Sequence, residues 1–161
     1  MLKLPLPVIL FANFISLASC TQNEEITLSD EAFIVFGHFY GMCIGESCVE
    51  IFRLEEERLL EDINDLYPSQ GSFYEGNFVE LGDDKYQLVN DLMDFFPEGL
   101  LEESKIQHGC PDCADQGGLY IEYKSNEIHK YWILDQSKAS VPDYMHEFMD
   151  KVNEKIDIIN E

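Results

Sequence analysis

Four cysteines in two close pairs carry most of the chemistry open to this chain: Cys43-Ile-Gly-Glu-Ser-Cys48 and Cys110-Pro-Asp-Cys113. Three chemistries fit them. In an oxidising compartment the thiols join as disulfides, either within each stretch or across the two, because four cysteines allow three connectivities. As thiolates, two close pairs supply the four ligands of a tetrahedral zinc site, with Zn–S bonds of about 2.3 Å. As a redox pair, Cys110-x-x-Cys113 requires one thiol of depressed pKa, which a helix N-terminus or a nearby cation supplies. Here Cys113 is followed by Ala114-Asp115-Gln116-Gly117-Gly118 and then an apolar stretch. Asp112 and Asp115 act against a reactive thiolate by like-charge repulsion. Disulfide staples are the first reading, zinc the alternative and thiol–disulfide oxidoreduction a further one.

Neighbouring residues extend the set. His108 precedes Cys110 by two positions and could complete a metal site. Asp112 and Asp115, with the carbonyls of Gln116-Gly117-Gly118, offer the hard oxygen donors that calcium takes. The competing reading of that stretch is a turn in which glycine supplies unusual dihedrals. Cys-Pro-Asp-Cys resembles one zinc knuckle, although Ala114 stands where a knuckle carries glycine and the Cys43–Cys48 spacer is long. His38 lies in an apolar run and reads as a hydrogen-bonded core residue, while His129 and His146 read as exposed and ordinary. There is no Gly-x-Ser-x-Gly elbow and no Gly-rich phosphate loop before a helix. No catalytic residue can be assigned, because carboxylates are too numerous for an acid–base pair to be singled out. The reading leans away from an enzyme and towards a binding module with cysteine-stapled loops and no cofactor.

The fifth cysteine belongs to a different chemistry. Lys3, an apolar stretch from Leu4 to Leu17 and the small residues Ala18 and Ser19 have the form of a secretory signal. That stretch is short for a membrane span, and Pro5 and Pro7 weaken it as a helix. Leu17-Ala18-Ser19-Cys20 resembles the lipobox of bacterial lipoproteins. The resemblance implies that residues 1–19 are a removed signal peptide and that Cys20 carries diacylglycerol and a fatty acyl chain such as palmitate. Each buried CH₂ contributes about 0.8 kcal/mol, so several chains on one cysteine hold a protein on a membrane. Residues 20–30 then form the lipidated cysteine and a polar tether, ahead of a single globular domain over 31–161. Thr21, where inner-membrane lipoproteins often carry Asp, implies outer-membrane delivery. Glu24-Glu25 resembles a surface-export signal of some Gram-negative lipoproteins, so either the periplasmic or the outer face is open.

The elements that must position the cysteine pairs are legible from patterning. Ala32 to Tyr40 is rich in β-branched and aromatic residues, which predicts a central strand covered on both faces. Residues 49–54 and 58–63 alternate around an acidic interruption and predict a hairpin. An irregular connection follows up to Gly82, and then a helix capped by Asp83 or Asp84 and ended by Pro97. After a short strand near Lys105–His108, residues 119–123 and 128–134 predict a second hairpin turning at Ser125-Asn126. Ser140 is the expected N-cap of a closing helix whose apolar residues run from Tyr144 to Ile159. The expected fold class is α+β: a mainly antiparallel sheet of about five strands with two helices packed on one face.

Composition sets the remaining bounds. The 161 residues suit one domain and carry a net charge of −22. Removal of Lys3 with the signal leaves nine basic against 32 acidic residues, a net −23. Such a surface repels nucleic acid. An apolar fraction of 45%, with eight Tyr and eleven Phe, separates the chain from acidic disordered sequences. The expected partners are a membrane, through the lipid, and a basic protein or envelope component. The Cys43–Cys48 loop together with the Gly109-to-Gly118 stretch resembles uncharacterised bacterial lipoproteins, a likeness that implies no activity.

Overall fold

The structure is a computed structural model describing residues 32–161, so the signal, Cys20 and the tether lie outside the described residues. Seven strands form one sheet: β1 Phe33–Phe39, β2 Val49–Leu54, β3 Leu59–Asp62, β4 Phe78–Glu80, β5 Gln107–His108, β6 Gly118–Lys124 and β7 His129–Asp135. Their order across the sheet is β4-β3-β2-β1-β6-β7-β5. Every pairing is antiparallel except β5 with β7. Three α-helices complete the fold, α1 Asp83–Val89, α2 Gly99–Glu102 and α3 His146–Ile159. The α+β class holds. The sheet is mainly antiparallel, with one parallel pairing, and has seven strands rather than about five, with three helices rather than two.

β1 is central because both of its faces are apolar. Ile34 and Phe36 point to one side, where α3 and the 89–100 segment cover them through Phe148, Val152, Leu92 and Phe96. Phe33, Val35 and Phe39 point to the other, with Ile51, Tyr120 and Ile133. Among the described residues no helix covers this second face; Tyr74, from the connection after β3, and Phe78, at the start of β4, pack against it. Two almost fully buried carboxylates hold that connection down. Asp62 accepts from the Tyr74 hydroxyl at 2.6 Å and the Asn77 amide at 2.5 Å. Glu122 accepts from the Tyr74 amide at 3.2 Å and the Tyr120 hydroxyl at 2.6 Å.

Three local expectations are corrected. The helix after Gly82 ends at Val89 rather than running to Pro97, and residues Leu92–Phe95 continue as a 3₁₀ turn. Asn90-Asp91 favours the break, and buried Lys155 of α3 reinforces it by donating to the Leu88 carbonyl at 2.8 Å and pairing with Asp91 at 2.6 Å. Lys85 of α1 returns the arrangement, donating to the Ile159 carbonyl of α3 at 2.6 Å. Gly82, not an aspartate, is the N-cap, while Asp83 and Asp84 sit in the first turn, where the helix dipole favours them. Ser140 does not cap the closing helix: 3₁₀ turns at 138–140 and 143–145 bring Val141 and Met145 into the core, and α3 starts at His146. The His146 Nε2 lies 2.9 Å from the carbonyls of both Lys138 and Val141, serving that double turn. Among the described residues no helix is long and apolar enough to cross a membrane.

Candidate functional site

Both cysteine pairs meet at one end of the sheet. β1 leaves the sheet at Phe39 and β6 enters it at Gly118, and these two residues are register partners. Loop 40–48 therefore springs from the same place as loop 109–117. Cys43 and Cys48 form a disulfide with a Cα–Cα separation of 5.5 Å, and so do Cys110 and Cys113, also at 5.5 Å. Both links are local, closing each stretch on itself. The first ring is an extension of the β1–β2 hairpin, since the Tyr40 amide donates to the Cys48 carbonyl at 2.8 Å.

Asp112 ties the two loops together. It lies inside the Cys110–Cys113 ring at φ 60°, a left-handed conformation that Asp adopts more readily than most residues. Its Oδ2 accepts from the Gly41 amide at 2.9 Å and from the Tyr67 hydroxyl at 3.1 Å. Its Oδ1 accepts from the Gly117 amide at 3.2 Å, and its own amide donates to the Gly117 carbonyl at 2.9 Å. One carboxylate thus joins the β1–β2 loop, the connection after β3 and the loop before β6. The Tyr67 ring packs edge-on against Phe39 at 4.9 Å. Burial, then the hydrogen bond to the Asp112 carboxylate and its charge, push the Tyr67 hydroxyl up to about 12. Gly117, at φ 71°, is required by close approach: a Cβ there would stand 2.2 Å from the Tyr40 ring and 2.4 Å from the Phe39 carbonyl.

This clasp presents apolar side chains to water. Met42 is 81% exposed and Ile44 103%, on either side of Cys43. Leu66 and Tyr67, both about half exposed, lie on the segment that Asp112 ties to the loop. The sequence offers no periodic reason for Met42 and Ile44, because they belong to no strand or helix; their only signal is two large apolar residues inside a short cysteine-bounded loop.

The other sequence candidates fall as follows. The Asp112 carboxylate is occupied by three neutral donors, and Asp115 is exposed at φ 54°. His108 is buried in β5 and its Nε2 engages the Lys105 carbonyl at 3.1 Å, with a Glu103 oxygen at 3.6 Å. A zinc tetrathiolate would need both disulfides reduced, and among the described residues no group of three or more His, Cys, Asp or Glu side chains is arranged to hold a metal. His38 is half-buried, bonds to the Ser47 carbonyl at 3.3 Å and is held below its ordinary pKa chiefly by burial. His129 is less ordinary than its sequence suggests: its Nε2 meets buried Glu122 at 2.8 Å and its ring stacks on Phe73 at 3.6 Å. A cavity of about 310 Å³ lies beside it, lined also by Ile106 and Tyr131. The polar groups there already serve the fold, since the Lys130 ammonium donates to the Leu101 carbonyl and the Tyr131 hydroxyl to the Gln70 carbonyl. The stapled end of the sheet is therefore the stronger candidate.

No protein-family model matches this chain, and no curated protein does so either.

Proposed function

We propose that this protein is a lipid-anchored component of a bacterial cell envelope that binds a basic partner protein through its disulfide-stapled loop end. The observation that carries the reading is the exposure of Met42 and Ile44 on a ring closed by one disulfide and clasped by Asp112. Single exposed apolar residues are ordinary, but apolar residues clustered on a surface mark contact sites, and Met42 and Ile44 stand two positions apart on one small ring. Holding them on a pre-closed ring reduces the ordering entropy lost on association. Two disulfides support an oxidising compartment, in keeping with the signal and lipobox resemblance. The net charge of −22 favours a basic partner, steering it from a distance within the limits of salt screening.

Anchoring and binding are tested separately. Cys20→Ala is expected to abolish membrane attachment, and unchanged attachment would refute the lipid anchor. For binding, the protein on membranes is challenged with purified cationic proteins at rising ionic strength, alongside a Met42→Ser/Ile44→Ser variant that removes the apolar surface without adding charge. Salt should weaken retention by the native surface, and the variant should lose at least about tenfold in affinity, ~1.4 kcal/mol, with its thermal midpoint unchanged. Retention insensitive to both salt and the variant would contradict the reading.

A further inference from the structure

The two disulfides at the stapled end differ in access and in what they restrain. Cys110 and Cys113 are both exposed on a surface turn, whereas the other pair joins exposed Cys43 to Cys48, which is 8% exposed at the base of its ring. Only the Cys110–Cys113 ring contains the residue that clasps the neighbouring loop.

We propose that Cys110–Cys113 is a site of reversible thiol–disulfide exchange with a dithiol protein, and that its state sets the placement of the Met42–Ile44 ring through Asp112. The second half of this inference concerns regulation of the binding surface and rests on the binding reading above. In the exchange, a thiolate of the dithiol attacks one sulfur of the pair and the Cys110–Cys113 bond breaks. A mixed disulfide forms, and the displaced cysteine sulfur takes up a proton. The second thiol of the dithiol then attacks the mixed disulfide. Cys110 and Cys113 are left as two thiols and the dithiol as a disulfide, so two electrons and two protons have passed to the pair.

Coupling follows from the position of Asp112. It is one of two residues enclosed by the ring, at φ 60°, and the ring's turn is closed by the Cys113 amide donating to the Cys110 carbonyl at 3.1 Å. Opening the disulfide frees the backbone at the residue whose carboxylate holds the Gly41 amide and the Tyr67 hydroxyl. Gly41 then loses its acceptor, and the ring carrying Met42 and Ile44 loses its tie to loop 109–117 while keeping its root in the β1–β2 hairpin. The surroundings suit a switch set by another protein more than a catalyst of exchange. Asp112 and Asp115 flank Cys113 in the sequence, and Asp135 accepts from the Cys110 amide at 2.9 Å. These carboxylates disfavour a thiolate, so the reduced pair is a poor attacking group.

The test uses the full lipidated protein in its oxidised form, titrated with dithiothreitol under native conditions. Alkylation and peptide mass give the order of reduction, and amide hydrogen exchange at Gly41 and Gly117 reports the clasp. Cys110 and Cys113 should become alkylated while Cys43–Cys48 is still closed, with Gly41 exchange rising by at least about tenfold at that step. A Cys110→Ser/Cys113→Ser variant should show the fast Gly41 exchange without reductant. Earlier or simultaneous reduction of Cys43–Cys48 would overturn the proposal, as would Gly41 protection that survives in the reduced protein or in the variant. Partner retention by the oxidised protein reads the binding proposal alone. Its failure alongside a positive Gly41 response would reject that reading and leave the exchange site standing.

Discussion

Asp112 joins three stretches of chain, and its loss has two separate signatures. Asp112→Ala removes the acceptor of Gly41, Tyr67 and Gly117 at once. The Tyr67 hydroxyl, pushed up to about 12, should fall towards the ordinary tyrosine value of about 10, as read by a ring-resonance titration. Stability should drop by about 1–2 kcal/mol in denaturant unfolding, because the donors are only partly buried and water replaces some of the bonds. Unchanged titration of Tyr67 would mean that the clasp is not formed in solution. Little of this was visible in the sequence. The two cysteine stretches and their local closure were among the open readings, and Asp112 was marked as an acid beside thiols. Its work, though, depends on Gly41, 71 residues away, and spacing along a chain carries no information about such a pairing.

At the scale of elements, the connection 63–77 behaves as a strap over the second sheet face, fixed by carboxylates rather than by strand pairing. Tyr74→Phe removes the 2.6 Å donor from buried Asp62 and leaves that carboxylate short of a partner. A loss of about 1–3 kcal/mol is expected, with proteolytic nicking within 63–77 appearing before global unfolding. Simultaneous loss of all resistance would show that the strap and sheet open as one unit. Strands with strong alternation were readable: β1, β2, β3, β6 and β7 all lie where the pattern put them, and even two-residue β5 was foreshadowed. β4 was missed because three residues carry no period, and its pairing is set by β3 alone. The expected helix over 83–96 failed for a related reason. Its apolar spacing was real, but the buried Lys155 that rewards the break at Leu88 comes from another element.

For the whole molecule, alkali is the condition to fear. Tyr67, Tyr74 and Tyr120 are all held above the ordinary tyrosine value, first by burial and then by the carboxylates of Asp112, Asp62 and Glu122 that accept from them. A folded-state pKa above the unfolded one means that the unfolded chain releases its protons first. The stability these hydroxyls contribute is therefore intact below about pH 10 and declines as pH rises beyond it. Thermal midpoints should be level from about pH 8 up to that point and then fall, with Tyr74→Phe flattening the fall. A midpoint that rises between pH 10 and 12 would contradict this assignment. The α+β class, the central place of β1 and the helices on one face all followed from periodicity and length. The proposed contact surface did not, because Met42 and Ile44 belong to no periodic element.

The proposed contact is between the stapled loop end and a basic partner protein. It is tested most directly by placing a photo-crosslinking amino acid at Met42 or Ile44 in intact cells, with Asn126, in the exposed β6–β7 turn at the far end of the sheet, as the control position. A discrete adduct with a basic protein is expected from positions 42 and 44 and none from 126. Absence of an adduct at 42 and 44, or the same adducts at all three positions, would contradict it.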